Sequence, residues 1–298
     1  MLRVLSAPVL YALELTPACT NRCVGCPNRR VASSSTAAPL PFPAWRQMLD
    51  ELAPHARRLK LTGGEPTLHP DFFKIVEYIE SLELDYTLFT NGCWPEPEAL
   101  VRALSHMKRL TGLLVSLHGA YADSHEAFSG VDGSFQETLD NIRRAVDQDL
   151  LVTISCVLTQ PNLGELTTLV TLAEQVGADH VVFNRYLGPE IDGITPQPSE
   201  LAKAVRQIEA LRRQGRAVKY GNCIPRCFLP NTSSGCLAAV AYCAIGSWGD
   251  VRPCTHSTVV AGNLLEQPLE EICRSPAMEA FRGSIAPAWH NCQAFSVC

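Results

Sequence analysis

Segments with the hydrophobic pattern of strands alternate with segments that have the pattern of helices from residue 9 to residue 214. The predicted strands cover residues 9–15, 59–62, 86–90, 112–117, 150–158 and 180–183. A helix is predicted after each strand, beginning near residues 43, 69, 96, 134, 163 and 199. In the first of these, the spacing of Trp45, Met48, Leu49 and Leu52 predicts one apolar face. Alternation of this kind is typical of a parallel sheet whose strands are connected by helices.

Six strand–helix units are two fewer than a closed eight-fold barrel contains. The sequence therefore predicts an α/β fold with an open, partial, TIM-like (β/α)6 barrel over residues 1–215. Residues 27–42 are rich in Arg, Ser, Ala and Pro and are predicted to form a loop. Functional residues of such barrels lie in the loops that follow the carboxyl ends of the strands.

The composition changes near residue 215, after which Gly, Pro and Cys become frequent and no further strand–helix unit is clear. We predict a small Cys-rich domain that contains a β-hairpin at residues 216–298. This part of the chain contains eight of the 13 cysteines, at positions 223, 227, 236, 243, 254, 273, 292 and 298. The first ten residues do not resemble an export signal. Metal binding in a reducing cytoplasm is therefore expected, rather than a disulfide framework.

The bulk composition excludes two further classes of protein. The formal net charge is −5 and the isoelectric point is near 5.9, which argues against non-specific binding to nucleic acid. No apolar run reaches the length of a membrane span. We therefore expect a cytoplasmic protein that binds neither nucleic acid nor membranes.

Three cysteines, Cys19, Cys23 and Cys26, directly follow the first predicted strand with the spacing C-x₃-C-x₂-C. They are one ligand fewer than the four cysteines that usually hold an iron–sulfur cluster. A four-iron cluster bound by three thiolates would keep one iron open for a ligand that is not protein. The alternatives are a zinc knuckle, which usually needs four ligands, and a chance group of core thiols.

A second motif, Gly63-Gly64-Glu65-Pro66, directly follows the second predicted strand. The glycines let the backbone approach a ligand closely, and Glu65 can accept hydrogen bonds from an ammonium group. A plain turn is the alternative.

Together the two motifs resemble those of the radical SAM superfamily. The resemblance implies a [4Fe-4S] cluster on Cys19, Cys23 and Cys26, with S-adenosylmethionine on the open iron. It also implies that the segment from Gly63 to Pro66 holds the amino group of this cofactor. Gly25 stands where the family often has an aromatic residue near the adenine, so other groups are expected to hold the adenine here.

Three further positions at strand ends are candidates for cofactor contacts under the same resemblance. Ser116 would contact the ribose, and Arg185 would pair with the methionyl carboxylate, although a structural salt bridge is the alternative. Asn91, after the third strand, is a candidate without an assigned contact.

The segment from Cys236 to Cys254 resembles the hairpin of SPASM or twitch extensions, with a turn at Gly249-Asp250. The resemblance implies one auxiliary [4Fe-4S] cluster with Cys227, Cys236 and Cys254 as ligands. Cys292 and Cys298 are the candidates for the fourth position. A structural zinc site is the alternative. Cys93 and Cys223 are candidate hydrogen-atom donors to a substrate radical, although each can also be an ordinary free thiol.

The resemblance implies reductive cleavage of S-adenosylmethionine to a 5′-deoxyadenosyl radical, which abstracts hydrogen from a substrate. The expected substrate is a ribosomally synthesised peptide that is crosslinked, epimerised or oxidised. A small-molecule dehydrogenase of the aminocyclitol type is the alternative enzyme, and an iron–sulfur electron-transfer protein is the alternative outside enzymes. The expected partners are a flavodoxin- or ferredoxin-type electron donor and a separate leader-binding protein, unless the barrel mouth recognises the substrate by itself.

Overall fold

The computed structural model describes residues 7–32, 37–221, 224 and 236–290 of the chain. The strands are β1 (Leu10–Glu14), β2 (Arg58–Thr62), β3 (Tyr86–Thr90), β4 (Leu110–Ser116), β5 (Val152–Leu158), β6 (His180–Arg185), β7 (Val218–Tyr220), β8 (Tyr242–Ile245), β9 (Asp250–Arg252) and β10 (Gly262–Asn263). The helices are α1 (Pro27–Ala32), α2 (Phe42–Leu52), α3 (Phe72–Ser81), α4 (Pro97–Leu104), α5 (Ala122–Ser129), α6 (Ser134–Val146), α7 (Leu166–Gln175), α8 (Pro198–Arg213), α9 (Leu269–Cys273) and α10 (Pro276–His290). Short 3₁₀ turns cover Pro66–Leu68 and Gln160–Asn162.

The strands form one sheet in the order β10-β9-β8-β1-β2-β3-β4-β5-β6-β7. Strands β1 to β7 run parallel to their neighbours, with helices in the connections. The sheet order is linear, and no pairing between β7 and β8 is found in the described part of the chain. The predicted open, partial barrel and its six strand–helix units are confirmed.

Two features at the ends of the barrel sheet were not predicted from the sequence: strand β7, and the parallel pairing of the hairpin strand β8 with β1. Strand β7 pairs with β6, but it is only three residues long and has Lys219 at its centre, so it carries no strand pattern. Strand β8 pairs in parallel with β1 and antiparallel with β9, so the predicted hairpin extends the barrel sheet. The predicted domain boundary at 215/216 falls between α8 and β7 and stays a prediction.

Two predicted loops contain helices. Helix α1 lies within residues 27–42, where Pro27 occupies the first position, for which its fixed φ angle is suited. Helix α5 lies between β4 and α6, and its buried side consists of Ser124, His125, Phe128 and Ser129. A mostly polar buried side gives no apolar periodicity, and the helix was therefore missed.

The two faces of the parallel sheet have different environments. Leu59 and Leu61 of β2 are fully buried against the helices, in a core that also includes the predicted face of α2. Lys60, between them, points to the inner face and is half-buried, and its ammonium lies 5.4 Å from the ring centre of Phe89 and 5.0 Å from that of Tyr242. The inner face is therefore a partly exposed surface with polar groups, unlike the helix-side core.

Candidate active site

The cysteine loop, residues 15–26, connects β1 to α1 and is held by the end of helix α5. The N–H groups of Arg22 and Val24 donate to the carbonyls of Ser129 and Phe128 at 2.8 and 2.9 Å. The unpredicted helix thus fixes the backbone between the cysteines. The loop starts at the carboxyl end of β1, where the barrel geometry predicted a functional site.

The thiols of Cys19, Cys23 and Cys26 lie close to one another. Burial, together with the negative charges of Cys26 and Cys19, raises the pKa of Cys23 to about 12. Burial also raises the pKa of Cys19, with Glu65 and Cys26 adding to the effect. Such mutual effects require charges only a few ångströms apart. The three thiols therefore lie in the same part of the structure, and their role as ligands of one cluster stays a prediction.

The donor set around these thiols fits a four-iron cluster. Cys19 Sγ accepts hydrogen bonds from the backbone N–H of Asn21 at 3.4 Å and from Asn91 Nδ2 at 3.6 Å, and both would stabilise a thiolate. No group of three His, Cys, Asp or Glu side chains compact enough for a single metal ion occurs among the described residues. A cluster makes a different demand, since each thiolate binds its own iron.

Gly63 and Gly64 allow the segment after β2 to lie directly against the cysteine loop. A Cβ on Gly63, whose φ is +134°, would lie 2.6 Å from the carbonyl oxygen of Thr16. A Cβ on Gly64 would lie 2.1 Å from the carbonyl oxygen of Ala18. The N–H groups of Gly64 and Glu65 donate to these two oxygens at 2.7 Å each. The sequence indicated a close backbone approach here, and the structure identifies the cysteine loop as the approaching partner.

Glu65 is fully buried at the junction of β2 and β3. One carboxylate oxygen accepts from Thr67 Oγ1 at 2.8 Å and from the N–H of Thr67 at 3.3 Å, while the other accepts from Thr90 Oγ1 at 2.9 Å and from the N–H of Asn91 at 2.8 Å. Burial raises the pKa of this carboxyl, although the four bonds act in the opposite direction. Both oxygens have protein partners, so Glu65 braces the ends of two strands. Its contact with the cofactor stays a prediction.

Asn91 connects the end of β3 to the cysteine loop. Besides Cys19, its Nδ2 donates to Thr20 Oγ1 at 2.8 Å, and its Oδ1 accepts from the N–H of Cys93 at 2.7 Å. The side chain thus positions the loop. The structure brings Asn91 together with Cys19 and Glu65, and its predicted contact with the cofactor remains untested.

Polar side chains at the carboxyl ends of β4 and β6 lie beside Ser155, which is in the middle of β5. Ser116 is opposite Ser155 in the strand register, and Asn184 Nδ2 donates to Ser155 Oγ at 3.1 Å. Arg185 follows Asn184, so strand alternation directs these two side chains to opposite faces of the sheet. Ser116 and Arg185 were predicted from the sequence, whereas Ser155 and Asn184 were not, although alternation along β5 and β6 could have indicated them.

An aromatic residue that the sequence analysis missed lies against Gly25. A Cβ on Gly25, whose φ is +69°, would lie 2.0 Å from Tyr186 Oη, and the ring of Tyr186 also excludes a side chain at Gly188. Tyr186 is largely buried just after β6. The absence of a side chain at position 25 is therefore matched by an aromatic ring from a distant segment. Sequence spacing alone gives no signal for such a pairing.

Behind the cysteine loop, two buried histidines extend this aromatic cluster. The ring centre of His118 lies 4.5 Å from that of Phe128 and 6.0 Å from that of His125, and Phe128 lies 6.3 Å from Tyr186. Burial lowers the pKa of His118 to about 3 and that of His125 to about 4. Both rings are thus neutral at physiological pH.

Of the two candidate hydrogen donors, only Cys93 lies in the described part of the chain. It is buried, with Sγ 3.5 Å from Thr138 Oγ1 and 3.9 Å from the carbonyl oxygen of Ser134 on α6. Burial raises its pKa to about 12, so at neutral pH it is a thiol, the form that can give a hydrogen atom. Its role and that of Cys223, which lies outside the described residues, stay predictions.

The second candidate site is formed by the ends of the β8–β9 hairpin. Gly249, with φ +83°, lies in the turn, and the N–H of Ala239 donates to the carbonyl of Pro253 at 3.1 Å. Burial raises the pKa of Cys254, and the nearby Cys236 raises it further, while the N–H groups of His256 and Ser257 lower it. Cys236 and Cys254 therefore lie close together. The further predicted ligands Cys227, Cys292 and Cys298 lie outside the described residues.

Comparison with protein families agrees with the fold and the motifs. The family model of the radical SAM superfamily matches residues 13–173, and that of SPASM, an iron–sulfur cluster-binding domain, matches residues 236–298. The chain belongs to the radical SAM superfamily, whose members are enzymes that use S-adenosylmethionine and a [4Fe-4S] cluster.

Relatives of different function match nearly the whole chain. An AdoMet-dependent heme synthase of Methanosarcina barkeri is 30% identical, over 95% of this chain and 86% of its own length. A mycofactocin maturase of Mycobacterium ulcerans is 31% identical, over 88% of this chain and 73% of its own length. A PqqA peptide cyclase of Methylobacterium nodulans is 27% identical, over 94% and 76%.

A solved structure has the same fold. Streptococcus suis SuiB, crystallised with the precursor peptide SuiA, superimposes with a TM-score of 0.79 at 18% identity, over 94% of this chain and 67% of that chain.

In the described residues of the present chain, no helix has both the length and the apolar character needed to cross a membrane.

Proposed function

We propose that this chain modifies a peptide by radical chemistry at the mouth of the partial barrel. Cys19, Cys23 and Cys26 would hold the [4Fe-4S] cluster, and S-adenosylmethionine would bind at its open iron. When bound, the cluster and the cofactor supply hydrogen-atom abstraction from an unactivated C–H bond. The observation that carries the proposal is the direct contact between the loop that contains the three cysteines and the Gly63–Pro66 segment, with Asn91 bound to Cys19 Sγ.

The protein's own groups act by positioning and by exclusion. Asn91 and the N–H of Asn21 hold Cys19 in the orientation of a ligand. Glu65 fixes the ends of β2 and β3, so the backbone at Gly63 and Gly64 is rigid where the amino group of the cofactor would bind. A preorganised site of this kind loses little energy to reorganisation during the reaction.

The inner face of the barrel is the proposed substrate surface. Its half-buried side chains include Lys60 on β2, Ser116 on β4 and Asn184 on β6. The linear order of the sheet leaves an open side through which a chain-like substrate can enter. The similarity to a PqqA peptide cyclase and to SuiB, which was crystallised with a precursor peptide, supports a peptide as the substrate class.

A small organic molecule is the second candidate for the substrate. The relative with 30% identity over 95% of this chain is a heme synthase, whose product is a tetrapyrrole. The inner face of the barrel would then bind a compact ring system. Under either reading we expect a flavodoxin- or ferredoxin-type electron donor, and for a peptide we expect a separate leader-binding protein.

Cys236 and Cys254 are proposed ligands of one auxiliary [4Fe-4S] cluster, together with Cys227 and either Cys292 or Cys298. The N–H groups that stabilise a Cys254 thiolate support this assignment. The auxiliary cluster would exchange an electron with the substrate radical or contribute to substrate binding.

The test is anaerobic reconstitution with iron and sulfide, followed by dithionite and S-adenosylmethionine. About eight irons per chain would indicate two four-iron clusters, and about four would contradict the auxiliary site. Cys19→Ala should abolish cofactor cleavage, whereas Cys156→Ala, a matched change of a fully buried thiol on β5, should not. Equal cleavage by both variants would refute the assignment of the first cluster.

Substrate class can be separated by mass spectrometry of the reconstituted enzyme with candidate peptides and with porphyrin precursors. A loss of two mass units from a peptide would indicate crosslinking or oxidation, and solvent deuterium uptake without mass loss would indicate epimerisation. Turnover of the porphyrin precursor alone would overturn the peptide proposal and favour the second candidate.

A further inference from the structure

A buried ion pair connects the two candidate cluster sites. The Arg252 guanidinium contacts the Glu14 carboxylate through Nη2, and its Nε lies 2.9 Å from Asp250 Oδ2. The Arg252 side chain is 0% exposed and that of Glu14 is 5% exposed. Every ion pair without Arg252 in the described part of the chain has at least one partner that is about half exposed or more.

The two partners sit on the segments that lead into the two sites. Glu14 is the last residue of β1, five residues before Cys19, and Arg252 is the last residue of β9, two residues before Cys254. Arg252 also binds the loop that follows β9 and contains Cys254, since its Nη1 donates to the carbonyl of Ser257 at 3.1 Å. The pair thus joins the strand before one cysteine loop to the loop that contains the other candidate cysteine.

The strand register shows that the ion pair spans a difference in height along the barrel. Arg252 lies opposite Ala244, which lies opposite Ala12 of β1. Glu14 is two residues further up, about 7 Å at the rise of a β-strand. The guanidinium therefore reaches from the level of the hairpin toward the barrel mouth, while Cys254 lies beyond Arg252 in the opposite direction along β1.

Stability alone is a weak reason for such a pair. Removing two charges from water is costly, and well-packed apolar residues in their place are often equally stable or more stable. Geometry and local charge are what an ion pair supplies and an apolar pair does not. Arg252 lies near Cys254, since its Nη1 donates to the carbonyl of Ser257, and the N–H of Ser257 donates to the carbonyl of Cys254 at 3.1 Å.

We propose that Arg252 and Glu14 are positioning residues that fix the Cys254 loop relative to the Cys19 loop and set the electrostatic potential at the auxiliary cluster. The proposal rests on the proposed role of Cys236 and Cys254 as ligands of that cluster. If so, the charges of Glu14 and Arg252 shift the reduction potential of the auxiliary cluster in opposite directions.

The test compares Glu14→Gln with Arg252→Met in the reconstituted full chain, using an EPR-monitored redox titration at pH 9. This pH lies above the pKa of Glu14, which burial raises to about 7, so the wild-type carboxylate is ionised. Loss of a negative charge should raise the reduction potential of the auxiliary cluster, and loss of a positive charge should lower it. The second effect is read by adding Arg252→Met to Glu14→Gln, because Arg252 lowers the pKa of Glu14 and its loss alone would favour protonation of that carboxyl. The pair Glu270 and Arg274, exposed on the surface of the same region, provides the control substitutions Glu270→Gln and Arg274→Met.

Shifts of opposite direction, absent in the control variants, would support the proposal. Shifts in the same direction, or none, would overturn it, because a purely structural role has no dependence on the sign of the charge. Arg252→Lys keeps the positive charge and replaces Arg252→Met in the test if that variant does not fold. The reduction potential of its auxiliary cluster should be near that of the wild type. The wild-type iron count tests the proposed auxiliary cluster separately, so a count near four would refute that cluster before any variant is compared.

Discussion

Gly64 lies against the cysteine loop without room for a side chain, so Gly64→Ala is a sharp test of the contact between the two motifs of the candidate active site. The new Cβ would lie 2.1 Å from the carbonyl oxygen of Ala18 and 2.7 Å from that of Pro17. Both are backbone atoms, so no side-chain rotation relieves the overlap. The segment after β2 and the cysteine loop must therefore move apart.

The magnitude follows from the two hydrogen bonds that join these segments. They run from the N–H groups of Gly64 and Glu65 to the carbonyls of Thr16 and Ala18, at 2.7 Å each. Their loss costs about 1 kcal/mol each. Overpacking adds about 1–3 kcal/mol. The expected destabilisation is therefore about 3–5 kcal/mol, and the displaced loop should bind less iron and S-adenosylmethionine.

Urea denaturation would measure the free energy of unfolding, and colorimetric iron analysis and equilibrium dialysis would measure cluster content and cofactor affinity. Gly164→Ala is the matched control, since nothing lies within 4 Å of its added Cβ. That variant should be as stable as the wild type or up to about 1 kcal/mol more stable. Wild-type stability, iron content and cofactor affinity in Gly64→Ala would refute the view that this glycine allows the two loops to meet.

Three further predictions test neighbouring parts of the site. Gly25→Ala should lower iron uptake because its Cβ would lie 2.0 Å from Tyr186 Oη, and adding Tyr186→Ala should restore part of it; a double variant no better than the single one would contradict this. Acidification below pH 6.5 toward pH 4 should lower the free energy of unfolding by about 1.4 kcal/mol per pH unit for each of His118 and His125. Stability falls on acidification because the pKa values of these histidines in the folded state, about 3 and about 4, lie below the unfolded value. The unfolded chain therefore binds more protons than the folded chain in this pH range. The full contribution of the two neutral rings to stability is present only above pH 6.5. His125→Phe should reduce this slope in urea titrations at several pH values, and an unchanged slope would argue against a buried, neutral His125. Cys93→Ala should leave the iron content unchanged, since Cys93 Sγ contacts α6, and iron loss would instead place this thiol among the ligands.

The local hydrophobic pattern of the sequence was sufficient to predict the strands and helices of the barrel. The third strand was predicted at residues 86–90 and is found at Tyr86–Thr90, because a short run of β-branched and aromatic residues ends there at Asn91-Gly92. The apolar face of α2 was likewise predicted residue by residue and is fully buried. In both places burial and intrinsic preference favour the same structure, so the sequence is locally unambiguous.

Pattern was insufficient where a polar contact joins distant segments. Asn91 and Cys19 are 72 residues apart, and the bond between them depends on how β1 and β3 are placed in the sheet. Helix α5 was missed for a related reason, since its buried side chains are largely polar and it holds the cysteine loop through backbone bonds. Such contacts become visible only when the topology is known.

The position of β8 gives the C-terminal extension a direct geometric relation to the candidate active site. Because β8 is parallel to β1 and β9 is antiparallel to both, the chain that leaves β9 toward Cys254 runs toward the amino end of β1. Cys19 lies beyond the carboxyl end of the same strand, whose five residues span about 13 Å between first and last Cα. The inner face between these levels carries Lys60, flanked by one aromatic ring from the barrel and one from the extension. A substrate held on this face would thus contact both parts of the chain, which gives a physical reason why the hairpin extends the barrel sheet.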